Sequence, residues 1–119
     1  MAVLTRDQIL SVPDLQREMV HVPEWGGDVY VRGLTGSERD ALEAGMLERK
    51  GKTTSIRLDH LRARLLSMTI VDEEGKSLFG PEDVVALGSK SAVALERCFA
   101  VARRLSGFTE QDVEELIKN

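Results

Sequence analysis

Between Gln16 and Val22 apolar and polar residues alternate, with Val20 and Val22 on one face beside Glu18 and with Met19 and His21 on the other. This period of two is the mark of a half-buried strand. The segment Pro23-Glu24-Trp25-Gly26-Gly27 is turn material, its glycines able to take positive φ. Beyond it Asp28 to Arg32 alternates again, Val29 and Val31 facing one way. Two alternating runs around a short glycine-containing loop predict a β-hairpin over about 16–33. A short helix is expected ahead of it: Thr5 caps, Gln8 stands three residues on in capping-box spacing, and Pro13 stops the helix. Ile9, Leu10 and Val12 are expected to give that helix its apolar contacts.

From Thr35 the period becomes helical. Thr35-Gly36-Ser37-Glu38 is a second capping box, and Ala41, Leu42, Gly45 and Met46 share one face of a helix over about 36–49. Glu48 to Ser55, with Gly51 between two lysines, reads as a solvated, mobile loop. Leu58, Leu61, Leu65 and Met68 recur at spacings of three and four, the seam of an amphipathic helix over about 56–70. Val71 to Phe79 has a tight polar turn between apolar ends, either a second small hairpin or a structured loop. Pro81 suits the first position of a helix over about 81–87, with Glu82 and Asp83 at its positive end and Leu87-Gly88 at its close. A longer helix over about 91–106 carries Leu95, Cys98, Phe99, Ala102 and Leu105 on its apolar face, and Gly107 suits its C-terminal cap. A last short helix over about 110–118 carries Val113, Leu116 and Ile117.

There is no internal repeat and no low-complexity tract. The expected architecture is one α+β, mainly helical domain over 1–119, an N-terminal β-hairpin followed by a small helical bundle.

Composition narrows what such a domain does. The 119 residues suffice for one core but not two. Aromatics are only 4%, so the core rests on aliphatic residues and little is left for aromatic ligand boxes. No apolar run approaches the roughly 20 residues that span a bilayer, and Met1 to Asp14 lacks the pattern of a signal peptide. The single cysteine, Cys98, forbids an internal disulfide, so a cytoplasmic setting is expected. The net charge of −4 weighs against nucleic acid, whose nonspecific affinity rests on Lys and Arg replacing counterions.

The residues offer little chemistry. Nucleophilic catalysis needs a Ser, Cys or Thr with a base in hydrogen-bond reach. The only histidines, His21 and His60, fall on different elements, and Cys98 sits beside Phe99 as a small buried hydrophobe would. One cysteine and two separated histidines make no zinc pattern. Asp72-Glu73-Glu74-Gly75 lacks calcium-loop spacing. Gly26-Gly27 and Gly33-Leu34-Thr35-Gly36 fit no phosphate-binding fingerprint. No enzyme, cofactor or metal is expected.

Two features suggest a binding surface. Trp25 stands in the hairpin turn, with Tyr30 on the strand after it; tryptophan is frequent at interface hot spots but also folds back over hairpin faces. Arg57, Arg62 and Arg64 form a basic edge, joined by Arg97, Arg103 and Arg104 on the later helix. That edge is either a solvated face with nearby acids or a docking face for an acidic partner or nucleic acid. The candidate partner-binding residues are Trp25, Tyr30, Arg57, Arg62 and Arg64.

The string from Val22 to Asp40, VPEWGGDVYVRGLTGSERD, resembles the hairpin and first long helix of the tail assembly chaperones of long-tailed bacteriophages. Ile9 to Asp14, Leu61 to Leu66 and Leu105 to Glu114 are similar too, so the likeness runs over nearly the whole chain in order. The resemblance implies a non-catalytic protein of the host cytoplasm that coats the aggregation-prone tape measure protein and leaves as the major tail protein polymerises, absent from the finished virion. It also implies short and long forms made by a programmed ribosomal frameshift, and the A-rich codons available to Lys118 and Asn119 suit a slippery stretch in the short form. Self-association is compatible with it. The rival readings are a structural tail or head–tail connector component and a small DNA-binding regulator using the Arg57 to Arg64 helix.

Overall fold

The computed structural model describes residues 3–45, 47–50, 53–56, 60–108 and 111, with the backbone alone for 45, 47–50 and 53–56. Helix α1, Arg6–Ser11, is followed by strands β1, Arg17–Val22, and β2, Gly27–Arg32. A single 3-10 turn, Pro23–Trp25, joins them, and Gly26 closes it at φ +73°. The two strands pair antiparallel from Arg17↔Arg32 to Val22↔Gly27. Val20, Val22 and Val31 are buried on the inner face while Met19 and His21 are exposed on the other, as the alternation predicts.

Helix α2, Gly36–Gly45, opens on the capping box read from the sequence. The Glu38 N–H donates to Thr35 Oγ1 at 3.1 Å, and the Thr35 N–H donates to Glu38 Oε1 at 2.9 Å. The helix ends four residues short of the expected 49. Residues 48–55, expected to be a loop, instead belong largely to an antiparallel pair of strands, β3, Leu47–Lys50, and β4, Thr53–Ile56. The charges of Glu48, Arg49 and Lys50 concealed this pair, whereas Thr53, Thr54 and Ile56 are β-branched and favour extended backbone.

Helix α3 begins at Leu61 rather than 56 and runs to Thr69. Its buried residues are Ala63, Leu65, Leu66, Ser67 and Thr69, so the seam expected from Leu61, Leu65 and Met68 is not its inner stripe. Leu58 lies outside the described residues. The helix is central, packed against α5, the sheet and α2, and the stripe rule holds only for a helix with one dry side.

Chain continues from α3 straight into β5, Ile70–Val71, which adds a third antiparallel strand in the order β1-β2-β5. Val71 bridges back to Ser77 around the turn at Asp72 to Gly75, so the segment is a minimal hairpin whose first strand joins the main sheet. The helix expected at 81–87 resolves into a 3-10 turn, Pro81–Asp83, and α4, Val84–Gly88. Helix α5, Ala92–Leu105, buries Ala94, Leu95, Cys98, Phe99 and Ala102, and Gly107 follows it at φ +79°. The helix expected at 110–118 lies outside the described residues.

The core gathers Val22 and Val31 from the sheet, Leu65 and Leu66 from α3, and Leu95 and Phe99 from α5. The fold is α+β and mainly helical, with helices on the inner face of a small antiparallel sheet.

Candidate interaction surfaces

The residues picked from the sequence do not converge. Trp25 is half-buried and packs against the core, and its indole N–H finds no acceptor among the described residues. The turn that carries it is tied to α5: Arg97 Nε donates to Glu24 Oε1 at 2.9 Å and Arg97 Nη2 to Oε2 at 3.2 Å. That guanidinium holds the Glu24 carboxyl below the usual carboxylate range. Tyr30 faces the other side of the sheet. Arg17 lies over its ring, 4.6 Å from the centroid, and reaches on to the Glu73 carbonyl at 2.8 Å.

The basic edge is interleaved with acids. Arg62 Nε donates to Glu96 Oε2 at 2.7 Å and its guanidinium lies over Phe99 at 5.3 Å. Arg104 Nη2 donates to both oxygens of Glu18, at 2.9 and 2.8 Å, and Arg97 holds Glu24. A phosphate approaching these groups has to displace a carboxylate from each, which removes much of the gain from counterion release. Arg64 is half-buried on the far side of α3 from Arg62, and Arg57 lies outside the described residues.

Two surfaces went unread in the sequence. The first is the N-terminal arm. Helix α1 forms with its capping box complete, Thr5 Oγ1 accepting from Gln8 N at 3.2 Å and Gln8 Oε1 from Thr5 N at 2.9 Å. Yet it buries nothing: Leu4, Ile9, Leu10 and Val12 are all exposed, Leu10 at 67%. The apolar contacts expected of Ile9, Leu10 and Val12 leave all three exposed. Local capping fixes a helix; it does not dock one.

The second is a hollow of about 500 Å³ between α2, α3 and the segment 77–85. Leu42, Met68, Phe79, Val84 and Val85 supply its apolar wall, and Glu38, His60 and Arg64 its polar rim. Local chemistry holds the segment in place. Asp72 Oδ1 accepts from the Glu74 and Lys76 N–H groups at 2.8 and 3.0 Å, and the Lys76 N–H is the main cause of its lowered pKa. The Gly80 N–H then donates to Asp83 Oδ2 at 2.9 Å, setting up the turn that Pro81 enters with φ already fixed. A second hollow, of about 690 Å³, lies between the start of α3 and the link from α4 to α5.

His60 lines both hollows and has φ +61°, the only positive value at a non-glycine among the described residues. Gly88 leaves it room, since a Cβ there would stand 3.0 Å from His60 Nδ1.

Cys98 is fully buried, and burial pushes its thiol up to about 11. Among the described residues no group of His, Cys, Asp and Glu is placed to hold a metal ion, and no helix is long and apolar enough to cross a membrane.

The fold is similar to a solved structure, "Structure of bacteriophage HK97 tail assembly chaperone", at a TM-score of 0.59 and 16% identity, covering 83% of this chain and 94% of that one. No curated protein sequence matches the chain. The family described as phage tail assembly chaperone matches residues 6–119. The match takes in α1, the hairpin with Trp25, the capped start of α2 and both helices around the hollow, and on that span the chain belongs to the phage tail assembly chaperone family.

Proposed function

We propose that this chain binds the tape measure protein in the host bacterial cytoplasm and assists tail tube assembly without catalysis. The observation that carries this reading is the aliphatic surface left uncovered at the N-terminal arm and around the hollow at Val85, in a chain of net charge −4. Contiguous exposed apolar surface marks an interaction site, and a long helical partner that has not yet been enclosed offers matching apolar stripes. The surplus negative charge favours solubility of a complex holding many copies.

In this reading the chain departs as the major tail protein polymerises and does not remain in the mature virion. Self-association between bound copies is compatible with it. Tyr30, Arg62 and Arg64, which lie on separate faces of the chain, are proposed as further partner contacts, and Trp25 supports the hairpin. No cofactor, membrane or nucleic acid takes part.

The test is co-expression with the tape measure protein encoded by the same phage, followed by pull-down from the soluble fraction. Recovery of a soluble complex, together with absence of this chain from purified particles, is the expected result. A partner left insoluble by this chain and by any frameshifted longer product overturns the reading. Retention in particles would instead favour a structural tail or connector component.

A further inference from the structure

We propose that the chain's own C-terminal segment, 110–118, packs on the N-terminal arm as a short helix and covers Ile9, Leu10 and Val12 until a partner displaces it. This rests on the reading above that the arm binds a partner, and adds how the arm is covered when that partner is absent.

The arm needs a cover. Helix α1 is six residues long and none of them is buried, and Ile9, Leu10 and Val12 are 54%, 67% and 54% exposed. Helices shorter than about 12 residues are marginal in water unless an apolar face is packed. The capping box of Thr5 and Gln8 satisfies backbone donors of the first turn but supplies no such packing.

Position selects the occupant. The arm enters the fold where α5 leaves it. The Gly33 N–H donates to the Gln16 carbonyl at 3.1 Å, and the N–H of the next residue, Leu34, donates to Ser106 Oγ at 3.0 Å. Leu15, Leu34 and Leu105 line one hollow of about 480 Å³. Phe108 is buried, with the Arg39 guanidinium 4.2 Å from its ring centroid, so the segment starts two residues beyond a fixed point.

Length and pattern agree with that position. The stretch 12–15 spans at most about 14 Å even when fully extended, and a helix over 110–118 is about 14 Å long. Starting near Leu15 and running outward, the segment comes level with the last turn of α1, antiparallel to it. Val113, Leu116 and Ile117 stand at i, i+3 and i+4 on one helical face, with Asp112, Glu114 and Glu115 off it. Gln111, a described residue of the segment, is helical and exposed. A segment tethered this close has an effective concentration of roughly a millimolar, which favours it over a second copy at micromolar protein.

The experiment uses the full chain throughout. Two double-cysteine variants, Ile9→Cys/Leu116→Cys and Val12→Cys/Leu116→Cys, are compared with Val93→Cys/Leu116→Cys, whose first position is exposed at the opposite end of α5 from Leu105. Cys98 is kept, since it is buried. Disulfide closure is read by mass and on non-reducing gels. Hydrogen exchange of the α1 amides is followed in the natural chain and in Leu116→Glu/Ile117→Glu, with thermal melts to check that each variant folds.

At least one arm pair is expected to close within a single chain about tenfold faster than the control pair. Leu116→Glu/Ile117→Glu is expected to speed exchange of the α1 amides about tenfold, with β1 and α5 unchanged. Closure no faster than the control, or equal exchange in the natural chain and the variant, overturns the proposal. Closure between two chains also overturns it, by giving the arm to a second copy.

Co-expression with the tape measure protein separates the cover from the function it rests on. Where the natural chain yields a soluble complex, Leu116→Glu/Ile117→Glu is expected to raise its recovery about threefold, because the arm is already free; equal or lower recovery overturns the cover. If the arm pair closes and exchange responds while the tape measure protein stays insoluble with both chains, the cover stands and the chaperone reading fails. If the complex is soluble but neither closure nor exchange points to the arm, the cover fails and the chaperone reading stands.

Discussion

Arg32 and Glu38 face each other through two parallel hydrogen bonds, Nη1 to Oε1 and Nη2 to Oε2, both 2.7 Å, with the side chains only 14% and 28% exposed. The same Glu38 Oε1 accepts the Thr35 N–H, so one carboxylate closes the cap of α2 and ties that helix to the last residue of β2. The position of α2, and with it the Leu42 wall of the hollow, depends on this junction.

Glu38 therefore makes a pH-dependent contribution. The hydrogen bonds from Arg32 are the main cause of its lowered pKa. A depressed carboxylate contributes stability that is present above its unfolded value, near 4.5, and is lost as pH falls through the folded value. Glu38→Gln keeps an acceptor for the cap but loses the charge, and is expected to cost about 1 kcal/mol at pH 7 and little at pH 3. Glu38→Ala loses both and should cost about 2 kcal/mol at pH 7. Urea melts at the two pH values decide it; equal costs for Gln and Ala at pH 7 would remove the cap from the account.

Gly33 has no room for a side chain. A Cβ there would overlap the carbonyl oxygen of Leu105 and stand 2.9 Å from its carbon, backbone atoms that cannot rotate away. Gly33→Ala is expected to cost about 1–3 kcal/mol through overpacking. Gly36→Ala, in the first turn of α2 with nothing within 4 Å, should be neutral or slightly stabilising. Melting temperatures of the two variants test the pair, and a neutral Gly33→Ala would mean that α5 is free to shift.

For Trp25, the packing of the ring against the core argues that its removal is felt in stability. Trp25→Ala is expected to cost about 2 kcal/mol, less than a fully buried tryptophan. Trp25→Phe should recover most of this, since it also deletes an N–H left without an acceptor among the described residues. Denaturant midpoints for both are the measurement. Unchanged stability in Trp25→Ala with loss of partner binding would make the residue a contact instead.

Cys98 should be silent in the native state. Fully buried, with its thiol near 11, it is expected to resist a thiol-specific reagent at pH 8 and to react at once in denaturant. Rapid labelling of the folded chain would show that α5 opens far more readily than its packing suggests.

Much of this was legible in the chain. The alternation at Val20, Val22, Val29 and Val31 determined the hairpin and its faces, because a strand's side chains obey a period of two wherever one face is dry. Thr5 with Gln8 and Thr35 with Glu38 determined two helix starts, because capping is settled within four residues.

Tertiary structure decided what depends on partners distant in sequence. Whether Ile9 and Leu10 are buried rests on what α1 lies against, and a capped amphipathic turn looks the same docked or exposed. That Arg62, Arg97 and Arg104 meet Glu96, Glu24 and Glu18 was set by the packing of α5 across α3 and the sheet, at separations of 34 to 86 residues. The third strand at Ile70–Val71 is only two residues long, too brief for a periodic signal, and exists because β2 offers it an edge. The hollow at Val85 is the space left where α2, α3 and 77–85 fail to meet, and a gap between elements has no signature in any one of them.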